Sequence, residues 1–529
     1  MDKKIDLLLE RYENAKNRRS QYDPILQEVA KYVWPVMQDM VRTVNMPEGQ
    51  IRTVDIYDST ANMAAYRMTS GIFSYLMPVG SKWFEFTARE VSLNDDMAIQ
   101  DYLSSATAIV HREIWRSNFQ REMFVAIRSL CVFGTGVISL EKNDKDIIFR
   151  AYHLGDMFFE ENSKGIIDVV FRRMSYTARQ AQQEWGENLG KSVEKSIESD
   201  RNSTDKFEFI HCVYPNLDYD EGKVGSKKFA SVIINIPDRH IVKEDGFNSI
   251  PYLVARFSKT PDEILGRSPA VELLPEIKML NSMKKTFIES AEKMANPPLM
   301  VEDDGVIGQP NTSAGGLVYM RSGAAMPTPL NIGVNVQLNA ELIREQQQII
   351  REGLFNDLFD ALADYRNMTA TEVVQRVEEK MVLLAPAISA LQKELFDPLI
   401  TRVLDLLEDV VPKPEIKFDK QIVYQGRLAL AMSNMQTNAI EATLAKWQPW
   451  MEMAPILDNI NLDKAFRMSA MNAGVPAEVL MDADEIEASR SERKSKQDMA
   501  DMSKIGADAS KAYANIAKSI QPNSLAEAI

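Results

Sequence analysis

The side chains able to do chemistry are thinly spread in this sequence. Its four histidines, His111, His153, His211 and His240, stand far apart, and none belongs to the HExxH spacing that sets two imidazoles on one helical face around zinc. The two cysteines, Cys131 and Cys212, lack the paired spacing of a zinc site and sit in the apolar runs SLCVFG and FIHCVY. Two buried thiols on strand-like segments are expected, rather than a disulfide. The run GENLGKS, Gly186 to Ser192, resembles a phosphate-binding loop, but three residues separate its glycines and a helix, not a strand, leads into it; the motif requires four residues and a strand. Gly134-Thr135-Gly136 has neither the third glycine nor the following helix of a dinucleotide fingerprint, and reads as a tight turn within a sheet.

Charged clusters are no more promising. Asp95-Asp96, Asp303-Asp304 and Glu378-Glu379 are neighbouring carboxylates of the kind that face solvent. Arg490, Arg493, Lys494 and Lys496 alternate with Glu485, Glu487, Glu492 and Asp498, the pattern of a solvated mixed-charge helix rather than a grip on phosphate. No catalytic, cofactor or metal constellation emerges, which points away from an enzyme. The formal charge of −15 argues against a protein that coats nucleic acid, because affinity for DNA comes largely from Lys and Arg neutralising phosphates. A protein that merely lets DNA pass remains compatible with it.

The elements that must position these residues form several structural units, since 529 residues exceed one core. Hydrophobic and charged fractions of 45% and 26% are ordinary globular values. No apolar run reaches the roughly 18 residues of a spanning helix, and the start is a charged amphipathic helix, so nothing directs the chain out of a reducing cytoplasm. The 28 methionines suit subunit contacts and core gaps equally. Helices are expected from Ile5, from Ile25 to Val33 ended by Pro35, and from Thr60 to Leu76, before a strand at Trp83 to Phe86. From about 131 to 260 the runs VFGTGVISLEK, IIFRAYHL, DVVFRRM, FEFIHCVYP, SVIINI and PYLVARF predict a β-rich region, interrupted by a helix over Thr177 to Trp185.

Beyond Gly266 the pattern turns to long helices. Ser268 as cap, Pro269 at the first position and Pro297-Pro298 as terminator enclose 29 residues, up to about 43 Å of helix with a kink at Pro275. A Gly-rich, non-helical insert follows to about 335, with a strand at Leu317 to Met320, and then a second helix near Leu338 to Ala363. Thr369-Ala370-Thr371-Glu372 is a capping box opening a long amphipathic helix through Val403 and Leu406, bent at Pro386 and Pro398. A strand over 416 to 424 returns, and the remainder reads as mostly helical with a partly disordered end.

In order along the chain stand Ile56-Tyr57-Asp58-Ser59-Thr60-Ala61, Ser70-Gly71, Pro78…Trp83-Phe84, Phe133-Gly134-Thr135-Gly136, His211-Cys212-Val213-Tyr214-Pro215 and Gly266-Arg267-Ser268-Pro269. After them come Glu292-Lys293…Pro297-Pro298, Met368-Thr369-Ala370-Thr371-Glu372-Val373 with Arg376 and Glu378, Leu384-Ala385-Pro386, and Glu394-Leu395…Pro398-Leu399. Through this series the sequence resembles the portal, or head-to-tail connector, family of short-tailed, podovirus-type bacteriophages. It departs from the family at Gln425-Gly426-Arg427-Leu428-Ala429, where a Ser-Pro-Leu-Ala-like turn is usual.

The resemblance implies an α+β, predominantly helical portal fold assembled as a ring. Its parts would be a wing over 1–265, a first stem helix over 266–298, a clip over 299–337, a second stem helix over 338–355 and a tunnel loop over 356–368. The wing's long helix and returning strand would occupy 369–429, and a crown with a flexible tail 430–529. DNA-facing candidates are Asp364, Tyr365, Arg366 and Asn367 in the loop, with Lys278, Lys284 and Lys285 on the stem lumen. Implied partners are eleven further copies in a ring of twelve, double-stranded DNA, the terminase large subunit, the tail adaptor, the major capsid protein, and scaffold and internal core proteins. No cofactor, metal, membrane or catalysis is implied. The location would be the portal vertex of the virion, after assembly in the host cytoplasm. The alternative is a non-enzymatic capsid or tail scaffold protein that never encloses DNA.

Overall fold

The computed structural model describes residues 2–41, 49, 52–78, 82–90, 93, 97–143, 146–199, 203–220, 225–301, 303, 305–311, 313, 315–330, 336–361, 384–411 and 418–425, with scattered positions from 466 to 511. The chain divides into two compact units, Met1–Ala429 and Leu430–Ile529, and every element named below lies in the first. Among the described residues no helix is long and apolar enough to cross a membrane.

Helix α1 (Asp2–Ser20) buries Ile5, Leu8, Tyr12 and Ala15, a stripe at three- and four-residue spacing. Its bed is one face of a five-stranded antiparallel sheet in the order β4 (Met157–Glu161), β5 (Ile167–Thr177), β6 (Lys206–Pro215), β7 (Phe229–Asn235), β8 (His240–Phe247). Tyr12 meets Phe158 edge to face at 5.2 Å. The other face is covered by α6 (Ala178–Trp185), whose Thr177 and Gln180 form a capping box, and by α7 (Lys191–Ser199). Because both faces are covered, the central strands β6 and β7 are buried in continuous runs rather than in alternation.

The larger core gathers α2 (Asp23–Val33), α3 (Thr60–Leu76), α4 (Met97–Arg116) and α5 (Phe119–Phe133) around a three-stranded sheet. That sheet runs β3 (Asp146–Ala151), β2 (Thr135–Asn143), β9 (Tyr252–Arg256). A separate ribbon pairs β1 (Phe84–Ala88) with β12 (Lys420–Tyr424), Phe84 opposite Tyr424, so the returning strand closes on the first. Trp83 fills the space beside it, packed on Phe119 and Phe396.

Several expectations are corrected. The β-rich region does not begin at 131: Phe119–Phe133 is helical, so Cys131 lies on a helix, not a strand, although both thiols are free and buried. Burial pushes the Cys131 thiol up to about 12. Gly134 is not a turn within a sheet but the left-handed end of α5, at φ 82°. A Cβ there would stand 2.3 Å from the Gly266 carbonyl oxygen, so two glycine motifs 132 residues apart cross backbone to backbone. Phe257 N donates to Gly134 O at 2.9 Å, Gly266 N to Thr135 Oγ1 at 2.9 Å, and Ser268 Oγ to Val132 O at 2.7 Å.

The helix expected over 268–296 is broken into α8 (Pro269–Glu272), capped by Ser268, and α9 (Leu274–Ala295), because Pro275 cannot donate into a preceding turn. Among the described residues of the insert, the strands are the short pair β10 (Leu299–Met300) and β11 (Thr328–Pro329). Leu317 to Met320 is not a strand; Met320 makes one isolated bridge to Val306. The next helix also breaks, into α10 (Val336–Gly353) and α11 (Asn356–Ala361), with Phe355 at φ 55° between them. A loop therefore does not begin at 356. Phe359 of α11 enters the space that Gly71 leaves on α3, where a Cβ would lie 2.3 Å from its ring.

The capping box Thr369–Glu372 lies outside the described residues. From 384 the spine is helical, α12 (384–391), but it passes through a π-helical turn, Gln392–Phe396, into α13 (Asp397–Leu406). Pro398 explains the fault, since in an α-helix its ring would crowd the Glu394 carbonyl.

Two histidines sit neutral in these cores. His211 lies between the Tyr252 hydroxyl at 2.6 Å and the Ser231 hydroxyl at 2.8 Å, which joins the two larger sheets. His111 lies 2.9 Å from Phe84 O and stacks on the Phe84 ring. Burial lowers their pKa values to about 3 and about 4. Below about pH 6.5 the unfolded chain takes up protons that the folded chain refuses, so stability is complete above that pH and falls below it. The melting temperature should decline between pH 6.5 and 5, above the ordinary carboxylate range, and His111→Gln should flatten that slope; equal slopes in both proteins would contradict the assignment.

Candidate functional site

The stem candidate is an antiparallel pair, α9 against α10. The base of α9 is apolar and buried at Leu274, Ile277 and Leu280, whereas from Lys284 onward its residues are half-buried or exposed. Helix α10 repeats the design with Ile343, Gln346 and Ile350 inward. At 1.5 Å per residue, the 22 residues of α9 span about 33 Å. The pair is rooted in the core at one end, and the insert joins it at the other. That insert presents Leu317 at 71% and Met326 at 81% exposure, with Ile307 and Tyr319 also largely open. Apolar surface of this extent marks an interaction site rather than a finished exterior.

The three stem lysines are not equivalent. Lys278 Nζ is 2.9 Å and 3.0 Å from the two carboxylate oxygens of Glu28 on α2. Lys285 approaches Glu289 at 3.9 Å and lies 5.8 Å over the Tyr57 ring. Lys284 is half-buried on the same helix. Two of the three are thus engaged within the subunit. Asn281, unnoticed in the sequence, ties α9 down by accepting from Tyr57 N at 2.8 Å and donating to Asp55 O at 3.1 Å. Asp364, Tyr365, Arg366 and Asn367 lie outside the described residues.

The phosphate-loop-like run resolves into something else. Ser192 donates from its backbone N at 2.8 Å and from Oγ at 2.6 Å to Asp238 Oδ2, and Asn235 Nδ2 donates to the same oxygen at 3.1 Å. A carboxylate from the β7–β8 turn therefore occupies the N-terminus of α7, where a phosphate would have to sit. His153 Nδ1 accepts from Gly155 N at 2.9 Å, and His240 Nε2 lies 2.7 Å from Asn188 Oδ1. Among the described residues no group of three His, Cys, Asp or Glu side chains could hold a metal ion.

The strongest electrostatic feature was missed in the sequence. Arg256, at the end of β9, is only 3% exposed and its guanidinium is paired with both Glu394 and Glu161. Glu394 also accepts from Arg256 N at 2.9 Å, and Lys259 reaches Glu161 at 2.8 Å. Burial works against the Arg256 charge, but the two carboxylates outweigh it and raise its pKa. Glu394 is the middle residue of the π turn, so the spine is pinned to the sheet at its fault. The available signal was an arginine inside the apolar run PYLVARF, which a strand can bury only with an acidic partner.

Glu394→Gln should cost about 3 kcal/mol in urea unfolding, because it strips a desolvated charge of a partner. Combined with Arg256→Met, the loss should fall well short of the sum of the two single losses; additive losses would mean that the two residues do not act as a clamp.

Comparison with known proteins gives this arrangement its family. The chain is 25% identical over 505 residues to the portal protein of Salmonella phage epsilon15, covering 92% of this chain and 90% of that protein. It is 24% identical over 527 residues to the probable portal protein of Bordetella phage BPP-1, covering 95% and 94%. The family model of the bacteriophage head to tail connecting protein matches residues 6–480. The chain belongs to the bacteriophage head to tail connecting protein family.

Proposed function

We propose that this connecting protein is a portal: twelve copies close into a ring at one capsid vertex, and double-stranded DNA passes through the ring during packaging and ejection. The observation that carries the reading is the extent of the likeness. Two portal-named relatives align over at least nine tenths of both partners, so what corresponds is a whole protein and not a shared module.

The architecture supports it. Residues 1–265 serve as the wing, α8 and α9 with α10 as the stem, the apolar insert as the clip, and 430–529 as the crown; the tunnel loop follows α11. In this reading the clip receives the terminase large subunit and later the tail adaptor, and the wing meets the major capsid protein, with scaffold and internal core proteins nearby. The ring itself hydrolyses nothing. A formal charge of −15 per copy amounts to about −180 for twelve, which repels a duplex weakly and offers it few sticky sites. Lys284 on the stem and Arg366 in the loop supply transient phosphate contacts that keep the DNA centred, and Lys278 and Lys285 join them only by leaving Glu28 and Glu289.

Electron micrographs of the purified chain should show closed rings with a central channel; filaments or dispersed monomers would favour the scaffold alternative. Changing Asp364, Arg366 and Asn367 together to Ala should leave rings intact while altering DNA packaging or retention. Wild-type packaging by that variant would remove the tunnel-loop assignment.

A further inference from the structure

The motif Ile56-Tyr57-Asp58-Ser59-Thr60-Ala61 leads into α3, and its residues up to Ser59 are neither helix nor strand. Their polar groups are taken up by other elements. Asp58 Oδ1 accepts from Thr60 N at 2.8 Å, answering one of the NH groups that the first turn of α3 leaves without a helical partner. Asp58 Oδ2 accepts from Gln347 Nε2 of α10, also at 2.8 Å. One carboxylate therefore joins the start of α3 to α10. The backbone beside it joins α9, where Asn281 accepts from Tyr57 N and donates to Asp55 O, so a single side-chain amide fixes both the position and the direction of the segment. Lys285, one turn on, lies over the Tyr57 ring, and Lys31 of α2 holds Asp55 at 3.0 Å.

On α9 these bonds fall where the buried stripe ends. Nearer the core the two helices are wedged by apolar contact: Leu274, Ile277 and Leu280 are buried, and a Cβ on Gly353 would lie 2.6 Å from the Leu273 side chain. Past Leu280, among the described residues, no residue of α9 is buried. The stretch from Asn281 to Ala295 is about 21 Å long. An arm of that length magnifies small errors, since a tilt of about 10° at its root moves the far end by about 4 Å. Apolar packing tolerates such a tilt, because a shifted side chain still meets apolar neighbours, whereas a hydrogen bond weakens steeply with misalignment.

We infer that residues 55–58 form a collar that sets the angle at which the α9–α10 pair leaves the core, with Asp58 and Asn281 as its positioning residues. The inference concerns a single subunit and does not depend on the ring reading. Its test follows the full chain by hydrogen–deuterium exchange. Gln347→Glu sets a second carboxylate against Asp58, and Asn281→Ala removes the other arm of the collar without adding charge. In each variant the amides of α9 past Asn281 should exchange about fivefold faster, the scale of one lost hydrogen bond, while those of β6 and β7 keep their wild-type rates. Asp58→Asn added to Gln347→Glu supplies an NH2 donor to the new carboxylate and should bring α9 back to within about twofold of wild type. If Gln347→Glu does not fold, Asn281→Ala decides alone. Wild-type exchange of α9 in the single variants would overturn the inference. So would acceleration spread evenly over α9, β6 and β7, which is a general loss of stability, or a double variant that exchanges as fast as Gln347→Glu.

Discussion

The buried charge of Arg256 is the constraint on which the first unit of this protein depends. A guanidinium removed from water at the end of a core strand is tolerable only if acids follow it inward. Glu161 comes from the far end of β4, and Glu394 from the spine more than a hundred residues later. Meeting that requirement brings together the five-stranded sheet, the three-stranded sheet and the long spine. It also meets the spine at the π turn set by Pro398, so the weakest point of the helix is its best-held point. Arg402 repeats the device one step on: it donates to Leu140 O at 3.0 Å and to Ser249 O at 2.6 Å, and burial lowers its pKa to about 10. Arg19 does so near the start, donating to Leu154 O and Met40 O.

Buried arginines of this kind give specificity more than stability, because an apolar replacement of similar volume would often serve stability as well. Their value lies in alignment. Apolar faces slide over one another at little cost, but a fork of NH donors accepts its carboxylates in few orientations. In the ring proposed above, each element must hold a reproducible angle, since errors in a heterologous interface accumulate until closure fails.

The distribution of polarity also separates what is finished from what awaits a partner. The two cores are closed by α1, α6, α7 and the α2–α5 layer, with histidines kept neutral and the α7 terminus stopped by Asp238. The α9–α10 pair and its insert carry open apolar side chains instead. This division is what a connector requires: a rigid body with surfaces incomplete by design.

Much of the architecture was legible in the sequence because its signals are local. The helix over Thr60 to Leu76, the cap at Ser268, the helix over Thr177 to Trp185 and the apolar strand runs of the β-rich region depend on residues within a few positions of one another. Where the sequence misled, a distant partner had decided the outcome. Phe119–Phe133 reads as a strand at its apolar end, yet packing against α3 and β2 keeps it helical. Gly134 owes its conformation to Gly266, and among the described residues the Leu317 to Met320 segment has only an isolated bridge to Val306 beside it. The motif Glu394-Leu395…Pro398-Leu399 was visible, but its meaning was not, because Arg256 is absent from its surroundings in the chain. By itself, then, the sequence determined the elements and the family, through short-range periodicity, capping and the order of motifs. Only the tertiary structure decided which charges are buried together and where the helices break. Those outcomes depend on desolvation and on contacts between residues far apart in the chain, which no local pattern records.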